Sequence, residues 1–117
     1  DITKLPVTTK EDFLKDIAEH PPYGRRLQVP KSDIAMVVET SGTSGRGQES
    51  HALALEDLER IYTATAYGFF WAGIRKGTIM MQPWPITMVG AARWWDGAMH
   101  KLGGNLFHLG NYDTRER

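Results

Sequence analysis

Between positions 40 and 47 the chain reads Thr40-Ser41-Gly42-Thr43-Ser44-Gly45-Arg46-Gly47, four hydroxyl side chains and one arginine interleaved with glycines. Glycine opens backbone conformations closed to other residues and lets main-chain N–H groups come close to a ligand. Successive N–H groups in such a turn form a concave anion site, and hydroxyls add adjustable donors. Arg46 brings a permanent charge and a forked donor set suited to phosphate. The spacing predicts a polyphosphate clamp built from Thr40, Ser41, Gly42, Thr43, Ser44, Gly45 and Arg46. It is not the common P-loop, because no Gly-Lys-Ser/Thr closes it. The plain alternative is a flexible Ser/Gly linker. Against that stand the apolar segments on either side, 34–38 and 52–55.

Other chemistry-bearing residues are sparser. Trp84 is presented rigidly between Pro83 and Pro85 and is a candidate to line an apolar or aromatic pocket; core packing is its alternative. His108, near the carboxyl end of an expected strand, and Asn111, in the loop after it, are the other pocket candidates. His20, His51, His100 and His108 show no metal-ligand spacing, so no metal site is expected. His51 lies close enough to the loop to touch a phosphate, with a surface histidine as the simpler reading. Glu11, Asp12, Glu56, Asp57 and Glu59 read as helix-start and solvent charges, and no paired carboxylates or Ser/His/Asp set stands out. Trp94 and Trp95 are adjacent on an expected helix and cannot both face one way. One of them is expected to face a neighbouring domain or absent chain.

The elements that must position these residues follow from pattern. Thr9-x-x-Asp12 has capping-box spacing, and Phe13, Ile17 and Ala18 recur at helical intervals, which predicts a helix over 10–19 stopped by Pro21-Pro22. Apolar runs predict strands at 34–38, 78–82 and 105–109, with extended chain at 50–55. A long helix is predicted up to about residue 74, with Leu58, Ile61, Tyr62, Thr65, Phe69 and Ala72 on one face. A further helix is predicted over 86–102. Strand–helix–strand order with unbroken apolar strands predicts a three-layer α/β arrangement, a mostly parallel sheet covered on both faces. Ligands of such sheets gather at the carboxyl ends of strands, where the glycine-rich loop, the Trp84 segment and the Asn111 segment are all expected.

Bulk properties narrow the function. The chain has 117 residues, 41% of them apolar, and a formal net charge of zero. That disfavours wholesale nucleic-acid binding and electrostatic membrane attachment. There are no cysteines, which excludes disulfides and thiolate chemistry and makes the cytoplasm the default compartment. No run approaches the roughly 20 apolar residues that cross a bilayer. Both ends read as the interior of a longer protein. The chain is expected to be one segment, with a lead-in at 1–33 and a loop-bearing βαβ core at 34–117.

The run Thr40-Ser41-Gly42-Thr43-Ser44-Gly45 resembles the phosphate-loop signature of acyl-adenylate-forming (AMP-binding) enzymes. Leu5-Pro6-Val7-Thr8-Thr9-Lys10-Glu11-Asp12, Pro22-Tyr23-Gly24 and Val29-Pro30 are similar to the stretch preceding that loop in the phenylacetate–CoA ligase branch. The resemblance implies an ATP-dependent carboxylate–CoA ligase using ATP, Mg2+ and coenzyme A on a small carboxylic acid, with an aryl or arylacetic acid as the best fit. It implies that this chain is an amino-terminal-domain fragment whose partner is the remainder of the ligase. Catalytic residues are then expected outside it, and the isolated fragment is expected to be inactive. A homo-oligomer is left open. Arg46 stands where the branch often has lysine, Gly47 where it has proline and Gln48 where many relatives have lysine; Gly47 is expected to loosen the loop. Two alternatives remain: adenylation with an acceptor other than coenzyme A, and a non-catalytic nucleotide-binding or assembly module.

Overall fold

In the computed structural model, residues 1–43, 45, 47–87 and 90–110 are described. Helix α1 (Lys10–Glu19) starts where the sequence places it. The Thr9 hydroxyl accepts from the Asp12 N–H, and the Asp12 carboxylate accepts the Thr9 N–H at 2.8 Å. Two otherwise unpaired donors are thus satisfied reciprocally. The Thr9 N–H and hydroxyl both donate to the ionised Asp12 carboxyl and hold its pKa below the ordinary value.

Asp16 ties the same helix to the turn that follows. Its side chain is 17% exposed and accepts the Arg25 N–H at 2.9 Å, with Arg26 Nε at 3.6 Å. Burial opposes its ionisation, but the hydrogen bonds from Arg25 and the charges of Arg25 and Arg26 prevail and lower its pKa. Stability tied to a lowered pKa is present above the unfolded-state value and is lost as pH falls through the folded one. Asp16→Asn is therefore expected to lower the urea midpoint at pH 7. The difference from wild type should vanish in strong acid, where both side chains are neutral.

Strand β1 (Ile34–Glu39) and strand β2 (Ser50–Ala54) form a two-stranded antiparallel hairpin. This corrects the expectation of a single, mostly parallel sheet. The 40–49 connection is too short for a crossover, which needs a dozen or more residues, so the chain reverses directly. Register shifts between Ile34 and Met36, which places a bulge at the start of β1. Helix α2 (Leu55–Trp71) follows β2 without a break, and the Asp57 carboxylate accepts the Ala54 N–H at 3.0 Å. It stops short of the predicted end because the chain turns at Gly73, φ +97°.

Strand β3 (Ile79–Gln82), helix α3 (Ala91–Leu102) and strand β4 (Asn105–His108) form a parallel β–α–β unit, as expected. Helix α3 begins five positions later than its pattern suggests. Pro85 and the β-branched pair Ile86-Thr87 favour extended chain, and Gly90 becomes the N-cap. The class is α/β, with two small sheets and with α2 packed against α3.

The core lies where α2 meets α3. Leu58 and Ala66 pack there with Ala92, Ala98 and Met99, all buried. Ala72, expected on that face, is exposed, and Ala66 takes its place. At Gly97 the helices approach so closely that a Cβ would lie 2.3 Å from Cγ of Tyr62. Both tryptophans of α3 find partners on α2: Trp94 sits 6.5 Å from Tyr62, and Trp95 meets Phe69 edge-on at 5.9 Å. The expectation that one of them faces an absent chain is therefore overturned. Residues 100° apart on α3 straddle α2 instead. Among the described residues the β3–β4 sheet is not covered on both faces, since Ile79, Met81 and Phe107 are exposed.

Candidate functional site

The glycine-rich segment is the connection of the β1–β2 hairpin, and its mouth is stapled shut. The Thr40 N–H donates to the Glu49 carbonyl at 3.0 Å, and the Thr40 hydroxyl accepts the Glu49 N–H at 2.9 Å. Inside the mouth, the Gly45 N–H donates to the Gly42 carbonyl at 3.1 Å, closing a tight turn. Gly42 has φ +68°, and a Cβ there would meet Cγ of Gln48 at 2.9 Å, so conformation and space both exclude a side chain. Ser41 Oγ and Thr43 Oγ1 lie 3.4 Å apart, and both residues are exposed. The arrangement offers a ligand two adjacent hydroxyls on a short, bonded turn, while Thr40 is engaged in holding the turn together. Ser44 and Arg46 lie outside the described residues.

Gly47 has φ +101°, a value proline's ring cannot reach. The glycine is thus more than a loosening of a proline-bearing loop; its backbone takes a path that proline forbids.

Glu49 escaped the sequence reading. It is a buried acid at the loop's exit, with Lys10 Nζ 3.1 Å from Oε1 and His51 Nε2 3.6 Å from Oε2. Of the two expectations for His51, the structure brings it to this carboxylate. The signal for Glu49 was weak, because an acid flanking a Gly/Ser loop looks like any solvent charge.

A second group gathers at the carboxyl ends of β3 and β4. Gln82 is fully buried; its amide nitrogen donates to the Ala92 carbonyl at 3.1 Å and lies 3.3 Å from His108 Nδ1. The carbonyl of Ala92 only accepts, which fixes the amide orientation and leaves Gln82 Oε1 buried with no hydrogen-bond partner among the described residues. His108 Nε2 lies 3.3 Å from Asp96 Oδ1. Nδ1 therefore accepts from Gln82 and the Nε2 proton goes to Asp96, a self-consistent tautomer. Trp84 stacks on Trp95 at 5.1 Å with 20° between the rings and is 49% exposed. Beside it a cavity of about 190 Å³ is lined by Trp84, Pro85, Thr87 and Ala92. Trp84 and His108 are thus both attached to α3, through Trp95 and Asp96. Asn111, the third pocket candidate, lies outside the described residues. A wider groove of about 460 Å³, lined by Thr63, Ala66, Tyr67, Phe70, Lys101 and Leu102, involves none of these groups.

Among the described residues, no group of three or more His, Asp or Glu could hold a metal ion. Mg2+ takes oxygen ligands, usually one or two carboxylates plus substrate phosphates. The loop offers hydroxyls, and its one acid, Glu49, is engaged with Lys10. The residues present do not by themselves make a Mg2+ site. Among the described residues, no helix is long and apolar enough to cross a membrane.

No protein-family description matches this sequence, and no curated protein does. Solved structures do match. An open conformation of 2-hydroxyisobutyryl-CoA ligase in complex with 2-HIB-AMP and CoA superimposes with a TM-score of 0.82 at 26% identity, over 93% of this chain and 24% of that one. The same enzyme in its postadenylation state with 2-HIB-AMP gives a TM-score of 0.83 at 25% identity, over 95% and 22%. With 2-HIB-AMP and CoA in the thioesterification state, the values are 0.82 and 28%, over 93% and 23%. The chain has the fold of a segment of a CoA ligase. It spans 22–24% of the length of the ligases it matches.

Proposed function

We propose that this chain is the phosphate-holding segment of an ATP-dependent carboxylate–CoA ligase of the acyl-adenylate-forming kind, on the phenylacetate–CoA ligase branch. The observation that carries the reading is the stapled 40–49 hairpin, placed in a segment that shares its fold with a ligase seen with an acyl-AMP and CoA. Neighbours at this identity also favour coenzyme A over another acceptor.

In the proposed reaction a substrate carboxylate oxygen attacks the α-phosphorus of ATP, the bond to the β-phosphate oxygen breaks, and pyrophosphate leaves. The thiol of coenzyme A then attacks the acyl carbon and releases AMP. The work of residues 40–46 lies in the first step. Turn N–H groups and the Ser41 and Thr43 hydroxyls meet the β- and γ-phosphate oxygens, where charge builds as pyrophosphate departs. Arg46 adds a fixed positive charge. Mg2+ arriving with ATP would supply further charge neutralisation at the phosphates; the described residues of this chain offer no ligand set for it.

The acid is proposed to be an aryl or arylacetic acid seated against Trp84, with His108 and Asn111 as the further pocket candidates. The cavity beside Trp84, about 190 Å³, exceeds the roughly 150 Å³ that accommodates a benzene ring in a protein interior. A protein carrying this segment in a complete ligase chain should catalyse carboxylate-dependent ATP–pyrophosphate exchange. An assay across aromatic and short branched hydroxy acids names the acid. If a folded protein that binds ATP shows no exchange with any of the acids, a non-catalytic nucleotide-binding module replaces this reading.

A further inference from the structure

Residue 49 is held at four points. Its N–H and carbonyl are both bonded to Thr40, and its carboxylate, 11% exposed, lies between Lys10 and His51. Lys10 belongs to the first turn of α1, which also sends Leu14 toward the loop: its Cδ2 is 3.7 Å from where a Gly47 Cβ would be. We infer that Lys10 and Glu49 form a tether that positions the 40–49 loop for polyphosphate, so that α1 acts as the loop's support. The inference rests on the phosphate reading of the loop.

A carboxylate this covered is costly unless it is paired. Without Lys10, Glu49 retains, among the described residues, His51 at 3.6 Å, and its cheapest relief is to turn toward water. That movement strains both Thr40–Glu49 hydrogen bonds and opens the loop's mouth. The freed negative charge also repels a phosphate. Glu49→Gln loosens the same mouth but leaves a positive charge behind. Lys10→Ala and Glu49→Gln should therefore act alike on loop opening and differently on phosphate binding. A purely structural ion pair predicts no such split.

Tryptic cleavage after Arg46, followed by mass spectrometry, reads loop opening directly. Cleavage after Arg93, half-buried within α3, serves as the reference for general loss of fold. Because cleavage tracks the population of the open form, each single variant should speed the Arg46 cut roughly tenfold and leave Arg93 unchanged. The swap Lys10→Glu with Glu49→Lys should restore the rate to within about twofold, as expected of coupled partners. Inorganic tripolyphosphate should protect Arg46 in wild type and in Glu49→Gln, and much less in Lys10→Ala. Single variants cut at the wild-type rate, or equal acceleration at Arg93, would overturn the tether. If tripolyphosphate protects nothing while the rate differences persist, the tether stands and the phosphate reading of the loop falls.

Discussion

Under the proposed function, Thr43→Ala in the full-length protein is expected to lower carboxylate-dependent ATP–pyrophosphate exchange by about two to three orders of magnitude, the usual loss when one donor to a developing charge is removed. Thr43 is exposed, and among the described residues its hydroxyl meets Ser41 Oγ at 3.4 Å, so removing it should cost the fold little. Thermal unfolding should therefore stay at the wild-type temperature. The loss should fall mainly on kcat, with a smaller change in KM for ATP, because charge on the departing pyrophosphate exceeds that in bound ATP. Thr40→Ala is a useful contrast. It removes the acceptor of the Glu49 N–H and so should also loosen the loop's mouth. A Thr43→Ala enzyme within about twofold of wild type in kcat/KM would remove this side chain from the clamp.

The second large effect concerns stability. Gly97→Val is expected to cost at least about 3 kcal/mol, the upper end for overpacking, because no rotamer relieves a clash that begins at Cβ. The colliding group is the Tyr62 ring, with Cδ1 and Cγ both 2.3 Å from the new Cβ. That ring is itself packed beside Trp94, so it cannot yield without unseating the α2–α3 core. Gly68→Ala supplies the internal control. It lies on α2 with nothing within 4 Å of its Cβ position, and should stabilise by roughly 0.5–1 kcal/mol through helix propensity alone. Urea unfolding of both variants decides the matter; equal midpoints would mean that the helices do not meet at Gly97.

Much of this arrangement was written locally, and what escaped was relational. Thr9 and Asp12 mark the start of α1 within three residues of sequence, and Pro21 marks its end, so pattern alone places that helix. The apolar runs at β1, β3 and β4 are legible for the same reason. The pairing of β1 was misjudged because an unbroken apolar run looks the same in either strand direction. The shortness of the 40–49 connection held the missing information. Trp94 and Trp95 misled because periodicity describes the face of one helix, whereas a wide partner with rings at both Tyr62 and Phe69 receives two neighbours. The hydroxyls of the loop were identifiable from residue type. Glu49, Asp96 and Gln82 were not, since their roles depend on Lys10, His108 and Ala92, which the sequence sets 39, 12 and 10 positions away.

Because Thr40 and Glu49 are bonded to each other at the hairpin's neck, the ends of the loop stay together whatever chain lies between them. Closing a somewhat longer segment on such a neck costs only a few tenths of a kcal/mol, since the penalty grows with the logarithm of length. Residues 41–48 are therefore an exchangeable cassette. Their length and sequence can change, with the loop path changing accordingly, while the scaffold presenting them stays the same.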